Sequence, residues 1–276
     1  MQDFSLQGPG GDDVADATVL VEETAGVLRL TLNRPDKLNS FDEAMHRALR
    51  AGLERARDAA SVRAVLVTGA GRAFSAGQDL GDRDPRRGGP PPDLGATLDT
   101  FYNPALRLIR ALEKPVVCAV NGVAAGAGAN LALACDIVLA ARSARFIEAF
   151  ARIGLIPDAG GSWTLTRHLG EARAKALALT AEPLDAETAA AWGLIWRAVP
   201  DETLMDETVA LAERLAAGPT RGLGLTKRAI HAAADNGFDA QLDLERDLQR
   251  EAGRTEDYAE GVTAFLEKRP PAFRGR

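Results

Sequence analysis

The sequence predicts an α/β fold that runs on into a helical C-terminal region. Three observations carry this. Short apolar strands such as RAVLVTG (63–69) and PVVCAV (115–120) alternate with amphipathic helical stretches over the first 150 residues. From residue 160 onward the pattern is almost wholly helical. The 276 residues, 46% hydrophobic and 26% charged with Gly 27 and Pro 14, have the composition of a soluble globular chain, which excludes collagen-like, disordered and disulfide-scaffold classes.

Residues 1–17 read as a mobile acidic tail without the basic and apolar stretches of a secretory signal. TVLVEE (18–23) and VLRLTLN (27–33), split by Gly26, predict a hairpin. A helix follows over 42–59, capped by Ser40 or Asp42, with Ala44, Met45, Ala48, Leu49 and Leu53 as its apolar stripe. After strand 63–69, DRDPRRGGPPPDLG (82–95) is too polar and breaker-rich to pack, so it is expected as a flap or cover. A helix is predicted over 97–112, a strand over 115–120, a helix over 127–134, and strands over 136–140 and 144–149.

The uncharged run from Pro115 to Cys135 has the length of a membrane span. Asn121, Asn130 and several glycines interrupt it, so a buried strand, turn and helix are expected instead. Breaks at Pro183, at the short apolar segment 193–199 and at Gly218-Pro219 divide the helical part, whose last helices fall at 201–217, 220–234, 239–251 and 255–267. These have apolar stripes and need a surface to lie on. The expected organisation is a tail (1–17), a core (18–200) and a helical region (201–276).

A net charge of −6 argues against nucleic acid, while leaving room for a local basic pocket that holds one small polyanion. Cys118, Cys135 and the scattered His46, His168 and His231 form no metal-ligand spacing, and the two cysteines suit a reducing cytoplasm. The histidines read as surface or helix residues, and Ser75 lies outside any G-x-S-x-G. NGVAAGAGANLALACD (121–136) follows a strand and opens a helix, but Leu131 stands where a dinucleotide motif needs its third glycine. Two readings stay open there: close helix packing, or uncovered N–H groups suited to a carbonyl oxygen that turns negative. AFSAGQDL (73–80) likewise exposes backbone at a strand's carboxyl end. Asp158, in GLIPDAGGSW (154–163), is either the N-cap of the next helix or an acid.

In order along the chain, TLNRPDKLNSF, AFSAGQDL, VNGVAAGAGANLALACDIVLAARSARF and IGLIPDAGGSW resemble the enoyl-CoA hydratase/isomerase family, the crotonases, over about residues 18–270. The resemblance implies a spiral of ββα units with a C-terminal helical trimerisation region, forming trimers or dimers of trimers. It implies two backbone N–H groups that hold the thioester oxygen, at Gln78 and at Ala127. The positions of the two glutamates with which the family's hydratases handle water fall on Asn130 and Phe150, which implies chemistry other than hydration. Asp158 stands where some of the family's isomerases carry their acid, and Glu148 is a second candidate two residues off the motif.

Coenzyme A, as part of the substrate, is expected at Lys37 and Leu38 and along the backbone from Ser75 through Ala76 to Asp79, with Phe150 by the acyl group. Trp163, Phe101 and Tyr102 are either acyl-pocket or core aromatics. AGQDL, FYNP, IPDAGG, WGLIW, GLGLTK and LDLERDLQR resemble the family's subgroup of phenylacetate degradation. That implies an isomerase in which Asp158 takes and returns a proton, turning ring-1,2-epoxyphenylacetyl-CoA into 2-oxepin-2(3H)-ylideneacetyl-CoA, with no metal or separate cofactor and no membrane partner. The alternatives are a Δ3,Δ2-enoyl-CoA isomerase of aliphatic chains and a non-catalytic acyl-CoA-binding protein.

Overall fold

A computed structural model describes residues 17–88 and 90–276, so the tail expected over 1–17 lies, Ala17 apart, outside the described residues. Strands β1 (Val19–Thr24) and β2 (Val27–Leu32) form the expected antiparallel hairpin. Ala25 and Gly26, at φ 52° and 77°, make its two-residue turn, whose twist matches that of the strands. Helix α1 (Glu43–Asp58) follows, and the Asp42 carboxylate caps it by accepting from Met45 N–H at 2.8 Å. Its buried face is Met45, His46, Leu49, Leu53 and Ala56. Ala44, placed on the stripe by sequence, is exposed and His46 replaces it, because the face is centred on the 45/49/53 row and Ala44 falls a quarter-turn outside it.

The next strands come in pairs that alternate between two sheets. β3 (Ala64–Gly69) is followed by β4 (Ala73–Ser75), β5 (Val116–Val120) by β6 (Val123–Ala125), and β7 (Ile137–Ala141) by β8 (Arg145–Ile147). The first member of each pair extends the hairpin, and the second builds a smaller sheet. β9 (Leu184–Asp185) joins the smaller sheet and β10 (Arg197–Val199) the larger. The orders are β1-β2-β3-β5-β7-β10, parallel from β2 onward, and β4-β6-β8-β9, antiparallel only at β8–β9. This is the spiral of ββα units. β3 and β5 are buried on both faces, as central parallel strands are, which is why they read as unbroken apolar runs. Shortening Leu66 or Leu139 to alanine in this core would cost about 2–5 kcal/mol.

Between β4 and β5 the single helix expected over 97–112 is broken into α2 (Leu94–Thr97), a wide turn over Leu98–Tyr102, and α3 (Asn103–Ala111). Pro104 has no N–H to give its preceding turn, and Asn103 N–H reaches back five residues to Leu98 O, so the ladder widens there. The stretch 82–95, expected as a cover, holds 3-10 turns at Gly81–Arg83 and Pro85–Arg87.

α4 (Ala127–Leu133) follows β6, and α5 (Gly161–Thr180) follows β8, kinked where Gly170 leaves helical geometry. The run 115–135 is thus strand, strand and helix, and no helix among the described residues is long and apolar enough to cross a membrane. α6 (Ala186–Ala191) leads to β10. Of the last helices, α7 (Leu204–Ala216) lies on the larger sheet and gives Leu204, Leu211, Ala212 and Ala216 to the core. α8 (Thr220–Ala233), α9 (Phe238–Ala252) and α10 (Glu256–Glu267) bury far less. α8 is moored by Lys227, whose Nζ donates to Asp136 Oδ2 at 2.8 Å and to Ile109 O at 2.7 Å.

Candidate active site

The loop 34–41 and the segment after β4 are laced together by backbone bonds. Asn39, fully buried, donates to Ala70 O and Ala73 O at 2.9 and 2.8 Å and accepts from Arg34 N–H. Ala76 N–H donates to Leu38 O, Phe41 N–H to Gly77 O, and Asp79 N–H to Phe41 O, at 2.8, 2.7 and 2.9 Å. Both neighbours of Gln78 are therefore fixed. Its side chain is fixed too, with Nε2 donating to Phe41 O at 2.9 Å and Oε1 accepting from Tyr102 Oη at 3.0 Å. Gln78 N–H itself has no partner among the described residues.

The same holds for Ala127, the first residue of α4: Gly126 N–H donates to Ile147 O at 2.8 Å, while Ala127 N–H is uncommitted among the described residues. The two N–H groups come from touching segments. A Cβ on Gly77, which sits at φ 86°, would stand 2.7 Å from Ala125 O and 3.4 Å from Ala127 N. A Cβ on Gly128 would meet Ser75 O at 2.6 Å. The close-packing reading of 121–136 is what the structure shows: Gly128 packs α4 closely against β4, and the neighbouring contact of Gly77 puts Ala127 N–H near the segment of Gln78.

A group of carboxyls is tied to the same helix α4. Asn130, on the buried α4, donates through Nδ2 to Asp158 O at 2.9 Å and to Glu148 Oε2 at 3.4 Å. Asp158 does not cap α5. The cap is Gly160, in the left-handed region and without a side-chain bond, and Asp158 contributes its backbone oxygen to Gly161 N–H at 2.8 Å. Its Oδ1 is buried with no hydrogen-bond partner among the described residues. Burial pushes the Asp158 carboxyl up to about 6, opposed by the positive charge of Arg83. Glu148 is raised to about 7, by burial first and by the Asp158 charge, against the Asn130 hydrogen bond.

A scan of known families matches the enoyl-CoA hydratase/isomerase family over residues 22–276. The chain belongs to this family. It is 56% identical to the 1,2-epoxyphenylacetyl-CoA isomerase of Escherichia coli K12, covering 94% of this chain and 98% of that protein. It is 35% identical to the 2,3-dehydroadipyl-CoA hydratase of the same strain, covering 94% and 99%. The crystal structure of an enoyl-CoA hydratase from Bacillus anthracis superposes with a TM-score of 0.87 at 32% identity, covering 94% of this chain and all (100%) of that one.

Several expected contact residues of this crotonase-fold chain are engaged internally. Ser75 is fully buried, donating to Asn39 O at 2.8 Å and accepting from Gly77 N–H at 3.2 Å. Asp79 accepts from Gly81 N–H at 2.9 Å and pairs with Arg34 at 3.0 Å, and these hold its carboxyl below the usual range. Both residues thus position Gln78. Lys37 is exposed on the turn before the half-buried Leu38, in the loop that Ala76 binds. Phe150 is buried beside Gly126, where a Cβ would meet its ring at 3.6 Å.

Trp163 faces a separate cavity of about 650 Å³ with Arg110, Arg167 and Lys227, and its ring is covered by the two arginines at 4.3 and 3.9 Å. Tyr102 joins Phe41, Phe101 and His46 in an aromatic cluster beside Gln78. His46, expected as a surface or helix residue, lies on the buried face of α1 at 4% exposed, and burial pushes it down to about 4.

Sequence reasoning missed Arg83, which nothing in a polar loop singles out. It underrated Glu148, although alternation from the buried Phe146 along β8 puts Glu148 on the same face.

Proposed function

We propose that this protein is an acyl-CoA isomerase that moves a proton through a thioester enolate, and that ring-1,2-epoxyphenylacetyl-CoA is its substrate. The observation that carries the reading is the buried, unpartnered Oδ1 of Asp158 on the loop that Asn130 ties to α4, the helix that begins with the uncommitted Ala127 N–H. A carbon-bound proton beside a thioester is weakly acidic, and its removal needs the charge on oxygen to be met as it develops. Gln78 and Ala127 N–H meet that charge. Asp158 takes the proton from the carbon next to the thioester and returns it to the ring carbon two atoms on, giving 2-oxepin-2(3H)-ylideneacetyl-CoA from the oxepin form of the epoxide. A carboxyl raised to about 6 is ionised at neutral pH yet basic enough to hold the proton in between.

Asn130 and Phe150 exchange no proton with water, which speaks against hydration. The coenzyme A part of the substrate runs past Lys37, Leu38 and Ala76, and no separate cofactor or metal takes part. The similarity to an epoxyphenylacetyl-CoA isomerase supports the aromatic substrate over an aliphatic 3-enoyl chain. The working form is a homotrimer or a dimer of trimers, supported by the exposed Ile230, Phe238, Leu242, Phe265 and Leu266 on α8–α10. It is placed in the cytoplasm, in keeping with the free Cys118 and Cys135.

The test is to offer the purified protein epoxyphenylacetyl-CoA, an aliphatic 3-enoyl-CoA and crotonyl-CoA side by side. Turnover of the first, well above the second and with negligible hydration of the third, is the expected result. Hydration at the rate of a dedicated hydratase, or turnover of none, overturns the reading.

A further inference from the structure

Glu148 is 4% exposed, sits directly after β8, and forms no ion pair among the described residues. A lone buried carboxylate is expensive, and its single polar contact among the described residues, Asn130 Nδ2 at 3.4 Å, is long for a charged hydrogen bond. The same Nδ2 makes a shorter bond, 2.9 Å, to the backbone oxygen of Asp158. Asn130 Oδ1 and Asp158 Oδ1 are both buried acceptors without a donor among the described residues. The cluster therefore holds acceptor oxygens in excess and is short of protons. A proton on Glu148 remedies that, removing one buried charge and supplying a donor next to the Asn130 amide.

We infer that Glu148 is a positioning residue that holds a proton behind Asn130 and, through Asn130 and its own charge, tunes the carboxyl of Asp158 without touching substrate. The inference rests on Asp158 being the base. The other groups whose charge or titration bears on the pair are Arg83, whose charge opposes the upward push on Asp158, and Tyr102, whose phenol burial keeps neutral. Neither of these lies between the two carboxyls in the bonding pattern; Asn130 does.

With Glu148 protonated, the cluster carries one negative charge, on Asp158. When Glu148 ionises as well, at higher pH, the second charge makes Asp158 a stronger base. Two interacting carboxyls then titrate in two steps that belong to the pair.

The test compares kcat/KM against pH in wild type and Glu148→Gln, and follows protonated-carboxyl infrared bands in wild type and Asp158→Asn. The wild-type rate should rise in two steps, the upper one by about two- to fivefold, as Brønsted behaviour gives for a modestly stronger base. Glu148→Gln should lack the upper step and lose less than about tenfold in kcat below pH 6. In Asp158→Asn, the Glu148 band should vanish at lower pH than in wild type, because no neighbouring charge opposes its ionisation. This infrared arm needs neither activity nor folding of the Glu148 variant.

An unmoved Glu148 band, an identical single-step profile in Glu148→Gln, or a folded Glu148→Gln as inactive as Asp158→Asn overturns the inference. Wild-type turnover by Asp158→Asn would instead overturn the assignment of the base, so the two failures are distinct.

Discussion

Gln78 and Ala127 present backbone N–H groups held by strand ends, by Gly77 and Gly128 and by bonds from Phe41 and Asp79, whereas Asp158 and Glu148 present side chains from loops that one asparagine ties, at the Asp158 backbone oxygen and the Glu148 carboxylate. The first side of the site depends on main-chain path and tolerates a change of side chain wherever the path survives. The second depends on single polar atoms in a buried place and tolerates changes of shape better than changes of charge. The two sides should therefore fail in different ways when altered.

The largest expected effect is on the carboxyl side. Asp158→Asn should keep the fold and thioester affinity and lose about 10²–10⁴ in kcat, the usual range for a positioned general base. Steady-state kinetics with a binding measurement checks this.

On the backbone side, Gly77→Ala would drive a Cβ to 2.7 Å from Ala125 O at a residue with φ 86°, so the chain must move where both N–H groups converge. A loss of about 10²–10³ in kcat is expected, comparable to removing one donor to a developing oxyanion. Coenzyme A affinity should change much less, and circular dichroism should show the variant folded. Equal loss of affinity and turnover would mean that Gly77 matters for packing alone.

Tyr102→Phe removes the donor to Gln78 Oε1 but leaves Nε2 on Phe41 O. Because the side chain of Gln78 only steadies its backbone, a loss of about tenfold or less in kcat is expected, the size of one ordinary hydrogen bond.

The smallest effect is on stability and has the opposite sign to the loss of activity. Asp158 is raised in the folded protein to about 6 from 3.8, so its contribution is fully present below the unfolded value and is lost as pH rises through about 6. Asp158→Asn should therefore melt slightly above wild type at pH 8, with the difference fading toward pH 4. His46 works the other way, because its folded value is lowered to about 4 from 6.5, and stability from it is lost as pH falls through that window. Scanning calorimetry at several pH values separates the two.

Much of the fold was legible because its periodicity is strong. The hairpin, β3, β5, α1 and the last four helices lie where apolar period and breakers place them. β4, β6 and β9 were not, since strands of two or three residues are too short to show alternation and are ordered only by their neighbours in the smaller sheet. The break before α3 was written in Pro104, yet the helical period on both sides concealed it.

At the candidate site, Gln78, Ala127 and Asp158 were singled out by the family resemblance of their motifs, and their roles are those proposed above. The role of Asp158 was ambiguous in sequence because the same residue type caps helices and carries protons; the left-handed Gly160 at the cap position removes the first reading. Arg83 reaches the site from a stretch with no pattern, and only the folded chain brings its charge near Asp158.

In the proposed mechanism one carboxyl, Asp158, takes the proton and returns it while two backbone N–H groups hold the charge. It is tested most directly by giving wild type and Asp158→Asn an epoxyphenylacetyl-CoA deuterated at the carbon next to the thioester. The wild type should be slowed by the heavier isotope and carry part of the label to the ring carbon that gains hydrogen in the product. The variant, folded and still binding the thioester, should move none; label movement in Asp158→Asn at the wild-type rate would contradict the account.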